Sequence, residues 1–145
     1  MAWEGAYPFG TISCARSSGE RKDFEVRVDP LNDSDGRVWF YYAKPLPVDE
    51  QTEEKYFASV KEVGPNLVQT EGLKNGLSRY QGFGITRTLI PLIATALSAR
   101  IRSSQRRAGD AEMRTDEATA VWERMRREGV ASYNPAEDRY YHPPL

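Results

Sequence analysis

The segment Arg79-Tyr80-Gln81-Gly82-Phe83-Gly84-Ile85-Thr86 has the residue spacing with the clearest chemical potential in this chain. Two glycines one residue apart, directly ahead of a run that reads as a helix, let the backbone turn tightly and aim several N–H groups at one spot. Such a helix start receives phosphate, because its first amides lack acceptors and carry partial positive charge. No Gly-Lys-Ser/Thr comes after it, which excludes a Walker loop, and Arg87 stands where a dinucleotide fingerprint needs a third glycine. Other chemistry is thinner. His142 is the sole histidine, so a metal cluster or a His-based triad has no material, and no metal is expected. Asp33 and Asp35 precede Gly36 as in a calcium loop, but Tyr42 stands where a bidentate Glu is required, so a turn is predicted. Cys14 reads as a buried inert thiol and Ser103-Ser104 as a loop cap.

The elements that must position these residues can be read from hydrophobic period. With 145 residues, 39% of them hydrophobic, the chain has material for one domain and one core, spanning 1–145. Phe24, Val26 and Val28 alternate with charged neighbours, the period-two signature of a half-buried strand. Gly10 to Ala15 and Val38 to Ala43 supply partners, with Pro30 to Gly36 as the turn, so 1–48 reads as an antiparallel meander. Tyr56, Phe57, Val60 and Val63, behind the acidic Asp49, Glu50, Glu53 and Glu54, predict a helix over 49–64. Residues 65–145 then read β-α-β-α-β. Asn66 to Thr70 is a strand, Ile85 to Leu97 a helix and Arg100 to Ser103 a short strand. Gln105 to Met113 is a polar loop. Asp116 to Glu128 is a helix capped by Thr115 and ended by Gly129, and Val130 to Tyr133 with Arg139 to His142 form a hairpin. Pro91 inside the first of these helices predicts a kink or a start delayed to Leu89 or Ile90. The fold class expected is α+β: an antiparallel meander continuing into a mixed sheet flanked by two or three helices.

The glycine loop and the segments C-terminal to it resemble the GNAT (general N-acetyltransferase) family, in a form either shortened or catalytically degenerate. Arg79-x-x-Gly82-x-Gly84 fills that family's Arg/Gln-x-x-Gly-x-Gly/Ala pattern at a helix start. Arg100-Ile101-Arg102, then Thr115-Asp116-Glu117-Ala118 through Met125, then Gly129-Val130-Ala131 look similar to its later elements, over residues 67–142. The resemblance implies an acyl-CoA-binding N-acyltransferase that moves an acetyl or acyl group from acetyl-CoA or another acyl-CoA to an amine. It implies that the backbone N–H groups of Gln81, Gly82, Phe83, Gly84, Ile85 and Thr86 cradle the pyrophosphate, with Arg79 or Arg87 adding charge. A splayed strand, here Leu67 to Leu73, would polarise the thioester carbonyl, and Glu71 near its end would take the amine proton. Trp122 stands where the family often carries a tyrosine that protonates the leaving thiolate, which turns that role to Tyr133 or Tyr140.

Charge keeps two other classes open. Residues 1–78 hold nine Lys/Arg against thirteen Asp/Glu, whereas 79–145 hold eleven arginines against eight acids. Arginines 100, 102, 106, 107, 124, 126 and 127, with a helix-Gly129-hairpin that reads like the end of a winged helix, suit a nucleic-acid-binding module. Val38 to Tyr42 as an exposed aromatic stripe would suit a protein-interaction or inhibitor domain. One cysteine, no long apolar run and no basic leader predict a cytoplasmic protein with no membrane partner. A homodimer is compatible with all of this.

Overall fold

A computed structural model describes residues 3–33, 36–106 and 114–145, with Asp33 defined by its backbone. Arg107, Asp35 and the 107–113 part of the polar loop therefore lie outside the described residues, as does the Asp33 side chain. Eight strands form one mixed sheet curled into a half-barrel, with two α-helices among the described residues. Strands hold 44% of the described residues and helices 21%, so the α+β architecture is strand-dominated.

The alternating Phe24, Val26 and Val28 lie in β2 (Arg21–Asp33), between β1 (Tyr7–Ala15) and β3 (Gly36–Pro45). The expected turn at Pro30 to Gly36 is largely strand instead. Pro30, Leu31 and Asn32 pair with Trp39, Val38 and Arg37, because the ladder outlasts the turn formers.

The helix expected over 49–64 is a strand, β4 (Tyr56–Gly64). Tyr56, Ala58 and Val60 are all buried, a period of two, and they sit opposite Ala43, Tyr41 and Trp39 of β3. The 56, 57, 60, 63 spacing fits a helix only in isolation; pairing on both sides satisfies the backbone of these β-branched and aromatic residues better. β5 (Leu67–Asn75) also runs past the predicted Thr70, and it carries an extra residue at Glu71, between the pairs Val60–Thr70 and Ser59–Gly72.

The second half keeps its predicted order. α1 (Ile85–Leu97) leads to β6 (Arg100–Arg102), which pairs parallel to β5; α2 (Asp116–Arg127) leads to the hairpin β7 (Ser132–Asn134) and β8 (Arg139–His142). The sheet order is β1-β2-β3-β4-β5-β6-β8-β7. Thr115 caps α2 by accepting from Ala118 N–H at 3.1 Å, and Gly129 ends it with φ 79°.

Pro91 neither delays nor breaks α1, in which it is the seventh residue. An interior proline costs about 3 kcal/mol. Burial of Ile85, Leu89, Ile90 and Ile93 against the sheet contributes about 1.5–3 kcal/mol for each side chain, which outweighs that cost. Trp122 and Met125 of α2 are fully buried in the same core, so Trp122 packs rather than faces a ligand.

Candidate functional site

The diglycine bend is built from the backbone outward. Gly82 (φ 78°) and Gly84 (φ 72°, ψ 36°) both adopt left-handed conformations, which a residue with a Cβ reaches only at a cost. Gly84 caps α1 without a side-chain hydrogen bond, and the first backbone bond of the helix is Thr88 N–H to Gly84 C=O at 3.0 Å. Among the described residues, the amides of Ile85, Thr86 and Arg87 therefore have no acceptor. Together with the dipole of a thirteen-residue helix, they form a focus of positive potential.

The loop ahead of the bend is held rigidly. Gln81 Nε2 donates to the carbonyls of Asn75 and Leu77 at 2.9 Å each, and Asn75 Nδ2 donates to Tyr80 C=O at 3.1 Å. Arg16 Nε donates to Gln81 C=O at 3.1 Å while its guanidinium lies over the Phe83 ring, 4.4 Å from the centroid. Phe83 is buried edge-on against Phe24. The Gln81 and Phe83 side chains thus anchor the bend, and neither residue lines the cavity it opens on.

The bend opens on a cavity of about 260 Å³. Gly82, Gly84, Ile85, Thr86 and Arg87 form one wall, and Glu117, Ala118, Ala120, Val121 and Arg124 of α2 form the other. Tyr56 and Leu73 close its base. The Tyr56 hydroxyl shares a 2.7 Å hydrogen bond with Thr86 Oγ1, and burial pushes its pKa above the ordinary phenol value. Below the helix start, Cys14 Sγ lies 3.7 Å from Thr88 Oγ1, and burial raises the thiol too, in keeping with an inert cysteine.

A second cavity, of about 300 Å³, lies across Leu73 and Ala118, which line both. It exists because β5 and β6 pair only over Leu67–Gln69 and Arg100–Arg102, and then part. Glu71, Thr70, Ser104 and Arg114 line it. Arg114 is the pin at this junction. Its buried guanidinium donates to Ser104 C=O at 2.9 Å, Asp138 C=O at 3.0 Å, Asp138 Oδ1 at 2.8 Å and Thr119 Oγ1 at 2.8 Å. Those bonds tie α2 to β8 and to the end of β6.

The predicted site residues divide accordingly. Gly82, Gly84, Ile85, Thr86 and Arg87 are brought together at the first cavity, and Glu71 opens on the second. Arg79 lines a separate cavity with Lys22, Lys44 and Glu54. Tyr133 lies on the edge strand β7 and lines neither the first nor the second cavity; its hydroxyl donates to Asp138 Oδ1 at 3.0 Å, and that bond raises its pKa. Tyr140 donates to Glu123.

Two contributions escape sequence reasoning. Tyr56 is hidden by the helix-like spacing of its segment. The α2 wall leaves only a faint signal, Glu117, Val121 and Arg124 at i, i+4, i+7 beside the core stripe. The arginine-rich half is largely engaged internally: Arg100 with the carbonyls of Pro143 and Pro144, Arg102 and Arg139 with Gln69, Arg126 with Glu123, Arg106 with Asp116. Of the predicted aromatic stripe, Tyr41 and Tyr42 are buried.

Among the described residues no three His, Cys, Asp or Glu side chains assemble into a possible metal site, and no helix is long and apolar enough to cross a membrane. No family model matches the chain, and neither a curated protein nor a solved structure matches it.

Proposed function

We propose that this chain binds an acyl-CoA through its pyrophosphate and transfers the acyl group to an amine. The observation that carries the reading is the set of acceptor-free amides at Ile85, Thr86 and Arg87 in the wall of a cavity that α2 closes from the other side. Three features support it further. The order β5, glycine bend, α1, β6, α2, hairpin is the one implied by the resemblance to the GNAT family. β5 and β6 part beside the bend. A second cavity, lined by the carboxylate residue Glu71, shares two lining residues, Leu73 and Ala118, with the first.

In this reading the amides of Ile85 to Arg87 take phosphate oxygens, and the Arg87 and Arg124 guanidinium groups, which line the same cavity, add charge-assisted bonds. A cavity of about 260 Å³ falls just below the size usual for small-molecule sites, about 300–1,000 Å³, so it suits an extended chain rather than a whole nucleotide. Bound there, an acyl-CoA supplies an activated thioester carbonyl. Glu71 faces the amine side and accepts its proton. Tyr56 is the phenol that lines this cavity, whereas Tyr133 and Tyr140 line neither the first nor the second, so the proton for the departing thiolate is assigned to it.

Thermal unfolding with added acetyl-CoA tests this directly. A ligand at about 100 times its dissociation constant adds about 2.7 kcal/mol of stability, a displacement of several degrees for a chain of this size. No displacement at millimolar acetyl-CoA removes the reading. Release of free thiol on adding a panel of primary amines then distinguishes transfer from binding alone.

A further inference from the structure

Glu128 occupies an electrostatically adverse position. It is the C-terminal cap of α2, where the helix dipole disfavours a carboxylate. Its two oxygens reach two arginines of the first cavity: Oε1 lies 3.5 Å from Arg87 Nη1, and Oε2 lies 3.3 Å from Arg124 Nε. The Arg87 side chain is folded back over the bend, so that a Cβ built on Gly84 would lie 2.9 Å from Arg87 Nη2. One carboxylate therefore bridges the two guanidinium groups beside the acceptor-free start of α1, much as a phosphate would.

We propose that Glu128 is a resident counter-ion for this cavity, and that an incoming diphosphate binds by exchanging with it for Arg87 and Arg124. The proposal rests on the reading of the cavity as a diphosphate site. Glu128 keeps the arginines gathered and oriented while partly neutralising them. Entry of the ligand then breaks two protein ion pairs for each set it forms. Both pairs are partly exposed, at 28–51% for the arginines and 38% for Glu128, so exchange is cheap. Removing the carboxylate strengthens anion binding, since the arginines no longer have to be released. It also steepens the loss of affinity with added salt, because charge on the ligand then meets uncompensated guanidinium groups.

The test is calorimetric titration of the wild-type chain and of Glu128→Gln with inorganic pyrophosphate and with CoA, at low and at physiological salt. The expected result is binding about three- to tenfold tighter in Glu128→Gln at low salt, the scale of one or two exposed pairs, with the gain shrinking at higher salt. Arg124→Gln added to Glu128→Gln should abolish the gain, and thermal unfolding of Glu128→Gln alone should match wild type or exceed it, as the dipole argument requires. If pyrophosphate binds more tightly to the variant but CoA binds to neither protein, the counter-ion role stands and the acyl-CoA reading falls. If wild type binds CoA and Glu128→Gln binds it equally or more weakly, the counter-ion role is overturned and the acyl-CoA reading stands. If neither protein binds either probe, both fall.

Discussion

Tyr56 and Thr86, thirty positions apart, share a buried hydroxyl–hydroxyl hydrogen bond of 2.7 Å that fastens the first turn of α1 to strand β4. The bond holds the helix start at the base of the cavity, so it links the fold of the sheet to the placement of the amides. Tyr56→Phe leaves the Thr86 hydroxyl buried without its partner and should cost about 1–3 kcal/mol in a urea titration. Adding Thr86→Val should recover much of that loss, because the pair is then replaced by apolar groups of similar shape. A double variant whose loss equals the sum of the two single losses would show that the bond couples nothing.

At Gly82 the obstacle to a side chain is conformational. A Cβ built there meets nothing within 4 Å, but φ is 78°. Gly82→Ala should therefore cost about 1–2 kcal/mol in stability and leave the circular dichroism spectrum unchanged. The added methyl lies on the wall that carries the amides, so stabilisation by acetyl-CoA should fall sharply. Undiminished stabilisation in Gly82→Ala would mean that ligand contact lies elsewhere.

Arg114 should matter more to folding than to ligand contact. Its side chain is 4% exposed and its bonds gather Ser104, Thr119 and Asp138 from three parts of the chain. Arg114→Ala strands those acceptors and should cost about 2–3 kcal/mol, the range for hydrogen bonds to a charged group moderated by the partial exposure of Asp138. Arg114→Lys should recover only a part, since an ammonium cannot reproduce the planar fork. Chemical denaturation of the two variants beside wild type measures both.

Stability should decline at both extremes of pH. Burial pushes the phenols of Tyr41, Tyr56 and Tyr140 above the ordinary value of 10.0. In the unfolded chain they ionise near 10, so their contribution is complete below that pH and is lost as pH rises beyond it. On the acid side, hydrogen bonds from Arg126 and then Tyr140 hold Glu123 at about 2, against an ordinary value of 4.5. Its contribution is complete above 4.5 and is lost as pH falls towards 2. Denaturant midpoints across the pH range should show both limbs. Tyr41→Phe should flatten the alkaline one and Glu123→Gln the acid one.

How legible each element is in the sequence depends on the range of the interactions that form it. α2 is readable from end to end, because Thr115, the acidic first turn, the Ala118-Val121-Trp122-Met125 stripe and Gly129 act within one or two turns of the residues they govern. The bend at Gly82 and Gly84 is readable for the same reason, since positive φ is a property of a single residue. Pro91 misleads because its local cost is plain in sequence, while the burial that outweighs it comes from strands far along the chain.

Residues 56–64 show the opposite case. Their apolar positions satisfy a helical and a strand period at once, and only the neighbours on both sides, β3 and β5, select the strand. The cavity is non-local in the same way. Local backbone chemistry gives one wall its unsatisfied amides, but the facing wall, the Tyr56 hydroxyl beneath it and the contact of Glu128 with Arg87 exist only because packing brings distant segments together, whereas the Arg124–Glu128 pair is an i, i+4 neighbour on α2. Residue types and local spacing are enough to settle which groups are able to bind an anion. Which of them line one cavity is settled by the packed fold, since that depends on contacts between residues whose separation along the chain carries no signal.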